Sequence, residues 1–262
     1  MSYETVFFER YGKVALITLN RPEAMNAVNA QLWSDAGTAI EEFDKDPDLW
    51  VAVITGAGDK SFCAGADLKE IAAGRSNRPD NGDTWGFAGI VQHFTQKPII
   101  AAVNGFALGG GTEIALSCDL VVASEKATFG LPEVKRGLIA AAGGLLRLPR
   151  QLPLKVALEK ILTGDPIPAS EALRWGLINR VVPHEEVVSA SIALAEKICE
   201  NAPLAVRASK DIVYRGLDTS LDHPSEAWKI NDEYVKLFST WEDVREGTRA
   251  FAEKRRPIWK GR

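Results

Sequence analysis

The feature that most constrains the fold of this sequence is a series of short β-branched runs separated by segments with helical periodicity. Four such runs lie at residues 14–19, 50–55, 98–103 and 120–124. The middle two, "WVAVIT" and "PIIAAV", are apolar almost throughout, which is typical of strands buried on both faces. Helical patterns at residues 29–43, 66–72 and 86–96 alternate with them. This alternation predicts an α/β fold whose strands pair largely in parallel.

The pattern changes after Pro183, where the segments are helical and no strand signal follows. We therefore predict a core at residues 1–195 and a helical region at residues 196–262. That region is rich in apolar positions, so part of its surface is expected to lie between subunits. One long polar, glycine-rich segment, residues 73–89, interrupts the core. Loops of this length are either functional lids or disordered.

Composition and charge exclude several classes of protein. The net charge of −4 argues against a partner such as nucleic acid. The basic C-terminal stretch "EKRRPIWKGR" is either a solvated end or a site for phosphate groups. Three widely spaced cysteines form no CxxC or Cys/His pattern, so neither a zinc site nor a disulfide framework is indicated. No apolar stretch approaches the length of a membrane span, and the N-terminus does not look like a targeting peptide. We expect a soluble cytoplasmic protein.

The stretch "FALGGGTE" at residues 106–113 places three glycines and a glutamate at the start of an apolar helix. A helix N-terminus exposes backbone N–H groups and the positive end of the helix dipole, and glycine lets a ligand approach them closely. The spacing does not match G-x-G-x-x-G, and no Gly-Lys-Ser/Thr follows, so a nucleotide-binding loop is not indicated. The simpler alternative is a tight turn with Glu113 as an ordinary first-turn acid.

A second junction of the same kind is found in "SFCAGADLKEI" at residues 61–71, where Ala64-Gly65-Ala66 leads into a helix. If the N–H groups of the two junctions converge, they form an oxyanion hole. The third stretch, "ATFGLPEV" at residues 127–134, carries Glu133 20 residues after Glu113. That interval allows the two carboxyls to meet in space, where they would suit proton transfer beside a polarised carbonyl. The alternative is an exposed loop carboxylate.

Nucleophilic catalysis has less support in the sequence. No G-x-S-x-G stretch occurs, and His93, His184 and His223 are in no strand-turn context. These histidines are expected to be structural or solvated. Cys118 lies in an apolar helix, where a cysteine more often fills the core than acts as a nucleophile.

These stretches, together with others along the chain, resemble the crotonase superfamily, the enoyl-CoA hydratase/isomerase family. The matching segments follow family order over nearly the whole chain: "RPEAMNAV", "FCAGADLKEI", "KPIIAAVNGFALGGGTEIALSCDLVVASEKATFGLPEVKRGL", "AAGGLLRLPR", "LTGDPIPASEALRWGLINRVV" and "EGTRAFAEKRRPIWKGR". The segments "EALRWGLINRVV" and "FAEKRRPIWKGR" are similar to the branch that includes carnitinyl-CoA dehydratase. The resemblance implies a spiral core of β-β-α turns and a helical region that builds trimers, often stacked as hexamers.

The resemblance also implies a role for particular residues. It implies a coenzyme A thioester substrate, with no metal and no redox cofactor. Ala66 and Gly110 match the two oxyanion-hole positions of the family, and Glu113 and Glu133 match the two acid/base glutamates of hydratases. The residues expected to contact coenzyme A are Ala64, Ala66, Asp67, Leu68, Lys69 and the C-terminal Lys254.

The implied reaction is reversible addition of water across the α,β double bond of an acyl-CoA. Another crotonase reaction (isomerase, carnitinyl-type dehydratase or thioester hydrolase) stays open, because members of one fold differ in chemistry. A CoA-ester-binding or RNA-binding protein without significant turnover stays open as well. The run "GLIAAAGG" departs from the family, since Ala140 and Ala141 stand where many hydratases carry Pro-Gly. This difference bears on the shape of the acyl pocket. Trp85 and Phe87 either line that pocket or pack on the solvent side of the protein.

Overall fold

The computed structural model describes residues 3–79, 85–221 and 226–262. The chain divides into two compact units, Met1–Phe94 with Ile99–Ala195, and Thr95–Pro98 with Glu196–Arg262. Part of the long polar segment, residues 80–84, lies outside the described residues, and so does His223.

The larger sheet belongs to the first unit. Its strands within the described residues are β1 (Val6–Tyr11), β2 (Val14–Leu19), β3 (Val51–Gly56), β5 (Ile99–Val103), β7 (Leu120–Ser124) and β10 (Arg180–Val182). They stand in the order β1-β2-β3-β5-β7-β10, with β1 antiparallel to β2 and every other neighbouring pair parallel. Every residue of β3 and β5 is buried, as the continuous apolar runs predict.

A smaller sheet accompanies it in the same unit. Its described strands are β4 (Ser61–Cys63), β6 (Phe106–Leu108), β8 (Thr128–Gly130) and β9 (Ile167–Pro168). The first three are parallel neighbours, and β9 pairs antiparallel with β8. These strands have only two or three residues each. They are therefore too short to show alternation in the sequence.

The helices described in this unit lie between the strands or follow the last of them. They are α1 (Ala30–Lys45), α2 (Leu68–Ala72), α3 (Gly110–Ser117), α4 (Gly144–Gln151), α5 (Leu154–Thr163), α6 (Ala169–Arg174) and most of α7 (Val187–Cys199), with short 3-10 helices at Pro22–Ala24, Phe87–Gly89, Pro132–Arg136 and His184–Glu186. The chain repeatedly adds a strand to the large sheet, then one to the small sheet, then a helix: β3-β4-α2 and β5-β6-α3 are two such turns. This repeat is the predicted β-β-α spiral, and the α/β fold class is confirmed.

One helix predicted from the sequence is wrong. Residues 86–96 contain only the 3-10 turn Phe87–Gly89, followed by turns and irregular backbone. Gly86, Ala88 and Gly89 have φ values of 66°, 58° and 66°, in the left-handed region that a right-handed helix excludes. A Cβ on Gly89 would lie 2.5 Å from the Cα of Gly37 in α1. Close packing against α1 thus sets this backbone, which a pattern of apolar residues does not reveal.

The second unit is helical in its described part. It contains the end of α7, then α8 (Pro203–Gly216), α9 (Glu226–Phe238) and α10 (Glu242–Ala252). Buried Asp211 of α8 accepts a hydrogen bond of 2.6 Å from the Tyr234 hydroxyl of α9. Buried Asp243 accepts the N–H groups of Lys260 and Gly261 at 2.8 and 2.9 Å, which holds the C-terminal segment against α10. None of the helices in the described ranges is both long and apolar enough to cross a membrane.

Candidate active site

Three strands of the small sheet end close together and place the three stretches singled out in the sequence. β4, β6 and β8 are parallel neighbours, with Cys63 paired to Ala107 and Leu108 paired to Gly130. Their carboxyl ends therefore lie at one edge of the sheet. Residues 64–66 leave β4 there, residues 109–113 leave β6, and residues 131–133 leave β8. Such an edge is where open α/β sheets usually bind ligands.

Each of the three consecutive glycines is required by a different neighbour. Gly109 has a φ of 56°, and a Cβ there would lie 2.7 Å from Oε1 of Glu133. A Cβ on Gly110 would lie 2.3 Å from the ring of Phe87. On Gly111 it would lie 1.9 Å from the backbone oxygen of Cys63 in β4. Any side chain at these positions would separate the loop from its neighbours, so glycine permits the close approach.

The backbone N–H groups of Ala66 and Gly110 belong to adjoining loops. A Cβ on Gly65 would lie 3.0 Å from the nitrogen of Gly110. Gly110 opens α3, so its N–H has no acceptor within the helix. Ala66 forms a parallel bridge with Val28, in which the hydrogen bonds are made by the neighbours of Ala66: the Gly65 oxygen and the Asp67 N–H. In the described parts of the chain neither N–H has a hydrogen-bond acceptor, and two free donors side by side are what an oxyanion hole requires.

Glu113 lies in the first turn of α3, and only 3% of it is exposed. Its Oε1 accepts a hydrogen bond of 2.8 Å from the N–H of Gly144 at the start of α4. Burial raises the pKa of Glu113 to about 7; the N–H groups of Gly144 and Ala142 oppose this rise, and the charge of Glu133 adds to it. A carboxyl group with such a pKa can both take up and release a proton near neutral pH.

Glu133 lies in the 3-10 helix Pro132–Arg136 that follows β8. Its Oε1 faces Gly109, and its Oε2 is buried without a hydrogen-bond partner in the described residues. Burial raises the pKa of Glu133 above its ordinary value, although its own backbone N–H and the charge of Arg136 work in the opposite direction. A buried carboxyl oxygen without a partner is rare, and here it marks a position suited to a ligand or a water molecule.

The residues expected to contact coenzyme A have different surroundings. Leu68 and Lys69 are exposed on α2, and Ala64 is half-buried before it. The side chain of Asp67 is used inside the protein, because it caps α2 through the Lys69 N–H at 3.1 Å and pairs with Arg21 at 3.0 Å. Lys254 belongs to the second unit, where it stands in an exposed turn after α10 with a φ of 54°.

Two aromatic residues, whose role the sequence left open, pack inside the first unit. Trp85 stacks on His93 with ring centroids 4.6 Å apart and planes 6° from parallel. Phe87 is half-buried between Gly110 and Trp33, whose ring it meets edge-on at 5.3 Å. Phe87 thus packs against Gly110, the residue that carries one of the two free N–H groups.

Sequence reasoning missed two residues at this site. Gly144 binds Glu113 across 31 positions of sequence, and Arg21 binds the segment beside Ala66. Both occur in stretches that resemble the family, but no pattern within those stretches indicates the contacts. The other candidates behave as expected: Cys118 is buried, and His184 hydrogen-bonds Ser124 at 3.1 Å. Across the described ranges, no group of three or more His, Cys, Asp and Glu could hold a metal ion.

Comparison with known sequences places this site in a family. The family profile described as enoyl-CoA hydratase/isomerase matches residues 9–262. The chain belongs to the enoyl-CoA hydratase/isomerase family. The resemblance seen in the sequence is therefore confirmed, and the protein is an enzyme of the crotonase type that belongs to CoA-thioester metabolism.

Relatives of this enoyl-CoA hydratase/isomerase family member carry two kinds of name. A carnitinyl-CoA dehydratase from Salmonella enteritidis is 45% identical over 264 residues, covering 99% of each chain. The crystal structure of a carnitinyl-CoA hydratase from Mycobacterium avium is 55% identical, with 100% of each chain covered and a TM-score of 0.79. An enoyl-CoA hydratase from Mycobacterium marinum is 43% identical, with 98% of this chain and 99% of that chain covered and a TM-score of 0.92.

Proposed function

We propose that the protein catalyses the reversible addition of water across the α,β double bond of an acyl-CoA thioester. The observation that carries this proposal is the pair of carboxyl groups, buried Glu113 and half-buried Glu133 with its buried Oε2, at the same edge of the sheet as the free N–H groups of Ala66 and Gly110. Membership of the enoyl-CoA hydratase/isomerase family supports the thioester as the class of substrate.

The two N–H groups would receive the thioester oxygen. When water adds to the β-carbon, negative charge accumulates on that oxygen as in an enolate. Donors already in place stabilise this charge without reorganising, and the N-terminus of α3 adds the positive end of its dipole at Gly110. The ring of Phe87 packs against the same residue on the side where a Cβ would stand.

The two carboxyl groups would transfer the proton between water and the substrate. One O–H bond of water breaks, its oxygen bonds to the β-carbon, and a proton is delivered to the α-carbon. We assign Glu133, whose Oε2 has no partner in the described residues, as the principal acid/base. Glu113 positions the water and helps to deprotonate it, while the Gly144 N–H holds its Oε1 in place. The charge of Glu133 adds to the rise that burial causes in the pKa of Glu113, so Glu113 can hold or release a proton near neutral pH.

A second candidate is dehydration of carnitinyl-CoA. It is favoured by the names of the relatives that are 45% and 55% identical to the chain. This reaction is the same chemistry in the elimination direction, on an acyl group that carries a quaternary ammonium. Aromatic faces recognise such a cation, and the half-buried ring of Phe87 lies beside Gly110.

A substrate panel tests the two candidates. The absorbance of the conjugated enoyl thioester would be followed during hydration of short straight-chain and branched enoyl-CoAs, and during dehydration of carnitinyl-CoA. We expect turnover of at least one of these substrates, and the preferred one decides between the candidates. Binding of every thioester without turnover would contradict the proposal and favour a CoA-ester-binding protein.

Variants of the two glutamates test the mechanism. Glu113→Gln and Glu133→Gln preserve shape but abolish proton transfer, so each should lower kcat by at least ~10²-fold. The double variant should lose far less than the product of the single effects, because both groups act on one water. Glu159→Gln on the exposed side of α5 is the control and should keep the parent rate. If either active-site variant hydrates its best substrate at nearly the parent rate, another crotonase reaction becomes the better assignment.

A further inference from the structure

The free N–H of Ala66 is the end of a chain of hydrogen-bonded peptide groups. The C=O of Gly65 and the N–H of Ala66 belong to one planar trans peptide, so they point in opposite directions. The oxygen of Gly65 accepts the N–H of Val28 at 2.8 Å. That hydrogen bond therefore orients the Ala66 N–H away from Val28. The N–H of Asp67 donates to the Val28 oxygen at 2.9 Å and holds the other side of Ala66.

The same reasoning extends one peptide further back. The N–H of Val28 shares its peptide group with the C=O of Ala27. The Ala27 oxygen accepts a hydrogen bond from Nη1 of Arg21. The order is thus the Arg21 guanidinium, the peptide 27–28, the peptide 65–66 and the free N–H. Both peptide dipoles have their positive ends directed away from the guanidinium and toward that free N–H.

The guanidinium at the start of this chain is largely buried and is held in place. The side chain of Arg21 is 14% exposed and that of its ion-pair partner Asp67 is 8% exposed. Its backbone is fixed as well: the Arg21 N–H donates to Oδ1 of Asn26 at 2.9 Å, and the Asn26 N–H donates to the Arg21 oxygen at 2.8 Å. Fully buried Asn26 anchors the turn through its amide to Ser61 and Ala57. At such a place charge is weakly screened, and hydrogen bonds in series strengthen one another.

The other donor of the site has a comparable arrangement. Gly110 shares its peptide group with the C=O of Gly109, which accepts the N–H of Glu113 at 3.1 Å. Helix α3 therefore polarises the Gly110 N–H through its own series of peptide groups. Ala66 lies before α2 and outside its hydrogen-bonded ladder, so it has no helix to polarise it in this way. For Ala66, the charged group in the corresponding position is the Arg21 guanidinium, at the far end of the two hydrogen-bonded peptide groups 27–28 and 65–66.

We propose that Arg21 is a positioning residue of the oxyanion hole. It orients the two peptide groups that end in the Ala66 N–H and polarises that N–H toward the thioester oxygen. This inference rests on the proposed function, because it requires a thioester oxygen at Ala66. Asp67 keeps Arg21 in place and partly offsets its charge.

Kinetics of Arg21 variants provide the first test. Arg21→Gln should lower kcat about 10-fold with little change in KM, because the Ala66 N–H is weakened but present; loss of a whole donor costs ~10²–10³-fold. Arg21→Lys, which keeps the cation, should recover most of the rate. Lys160→Gln is the matched control: Lys160 also binds a carboxylate and a carbonyl, Glu171 at 3.1 Å and Pro166 at 3.3 Å, and its side chain is 15% exposed. This control should lose comparable stability and keep kcat.

Infrared spectra of a bound saturated acyl-CoA provide the second test. The parent should lower the stretching frequency of the thioester carbonyl, and Arg21→Gln should lower it less. Asp67→Asn breaks the same ion pair but keeps the cation, so its frequency shift should be at least as large as in the parent. A merely structural ion pair predicts that both variants lose the shift alike, and that result would overturn the proposal.

Other outcomes are equally decisive. Parent-like kcat and carbonyl shift in folded Arg21→Gln would refute the inference and leave the proposed function intact. If Arg21→Gln does not fold, Asp67→Asn decides by itself, since a shift smaller than that of the parent contradicts a polarising role for Arg21. If the parent binds no acyl-CoA, or binds it without shifting the carbonyl frequency, the proposed function fails and the inference fails with it.

Discussion

Replacement of Glu113 by Gln is expected to stabilise the folded protein above neutral pH, although it removes a candidate catalytic group. Burial raises the pKa of Glu113 from 4.5 to about 7 on folding. Each pKa unit corresponds to about 1.4 kcal/mol, so the full difference is about 3 kcal/mol. The folded state binds the proton more tightly, so this contribution to stability is fully present below about pH 4.5 and is lost as the pH rises through about 7. Gln does not ionise, and its oxygen can still accept the Gly144 N–H.

Urea unfolding of the parent and Glu113→Gln at about pH 5 and pH 8, at one protein concentration, measures this effect. The free energy of unfolding of the variant relative to the parent should increase by about 2–3 kcal/mol between these two pH values. Glu159→Gln, on the exposed side of α5, should show no comparable change. A difference between parent and Glu113→Gln that is the same at both pH values would refute the reasoning, because it would mean that Glu113 is not the group whose proton is held by burial.

Three further predictions concern the backbone, the substrate and the assembly. Gly111→Ala should destabilise the fold by about 1–3 kcal/mol in urea unfolding, because its Cβ would lie 1.9 Å from the Cys63 oxygen. In the control Gly216→Ala, the added Cβ meets no atom within 4 Å, so this variant should be neutral or slightly stabilising. Equal effects of the two substitutions would contradict the prediction. Lys254→Ala should raise KM for the CoA substrate more than it lowers kcat, and an unchanged KM would reject the assignment. Light scattering should give the mass of a trimer or hexamer, since the second unit exposes apolar side chains such as Phe251, 87% exposed; a monomer across micromolar concentrations would count against this.

The long apolar runs allowed the buried strands to be predicted, and the stretch before Glu133 was read correctly as a strand, whereas the short strands β4 and β6 were not predicted. β3 and β5 are buried along their whole length, so their residues alone indicate a central strand. β4 and β6 have three residues each and pair with strands about 20 to 45 positions away in sequence. Such pairing leaves no local pattern. The helix predicted at residues 86–96 failed for a related reason, since contact with Gly37 of α1 determines its backbone.

Much of the candidate site could be predicted as a set of residue types at particular junctions. The glycines before α3, the small residues before α2 and the glutamate after β8 are visible as local features, and the resemblance to a family assigned them roles. Their mutual contacts could not be predicted in this way. The three glycines face Glu133, Phe87 and the Cys63 backbone, which come from three separate parts of the chain.

The sequence by itself determined the α/β class and the helical C-terminal quarter and indicated two candidate glutamates, because these depend on local composition and on spacing along the chain. Only the tertiary structure decided the pKa shifts of those glutamates and the direction of the N–H donors. The pKa of Glu113 reflects the water that packing excludes and the amide that Gly144 provides. The direction of the Ala66 N–H depends on a hydrogen bond from Val28, 38 positions earlier, whose own peptide is held by Arg21. Desolvation and peptide orientation arise when distant segments meet, so they are properties of the folded chain and not of any stretch within it.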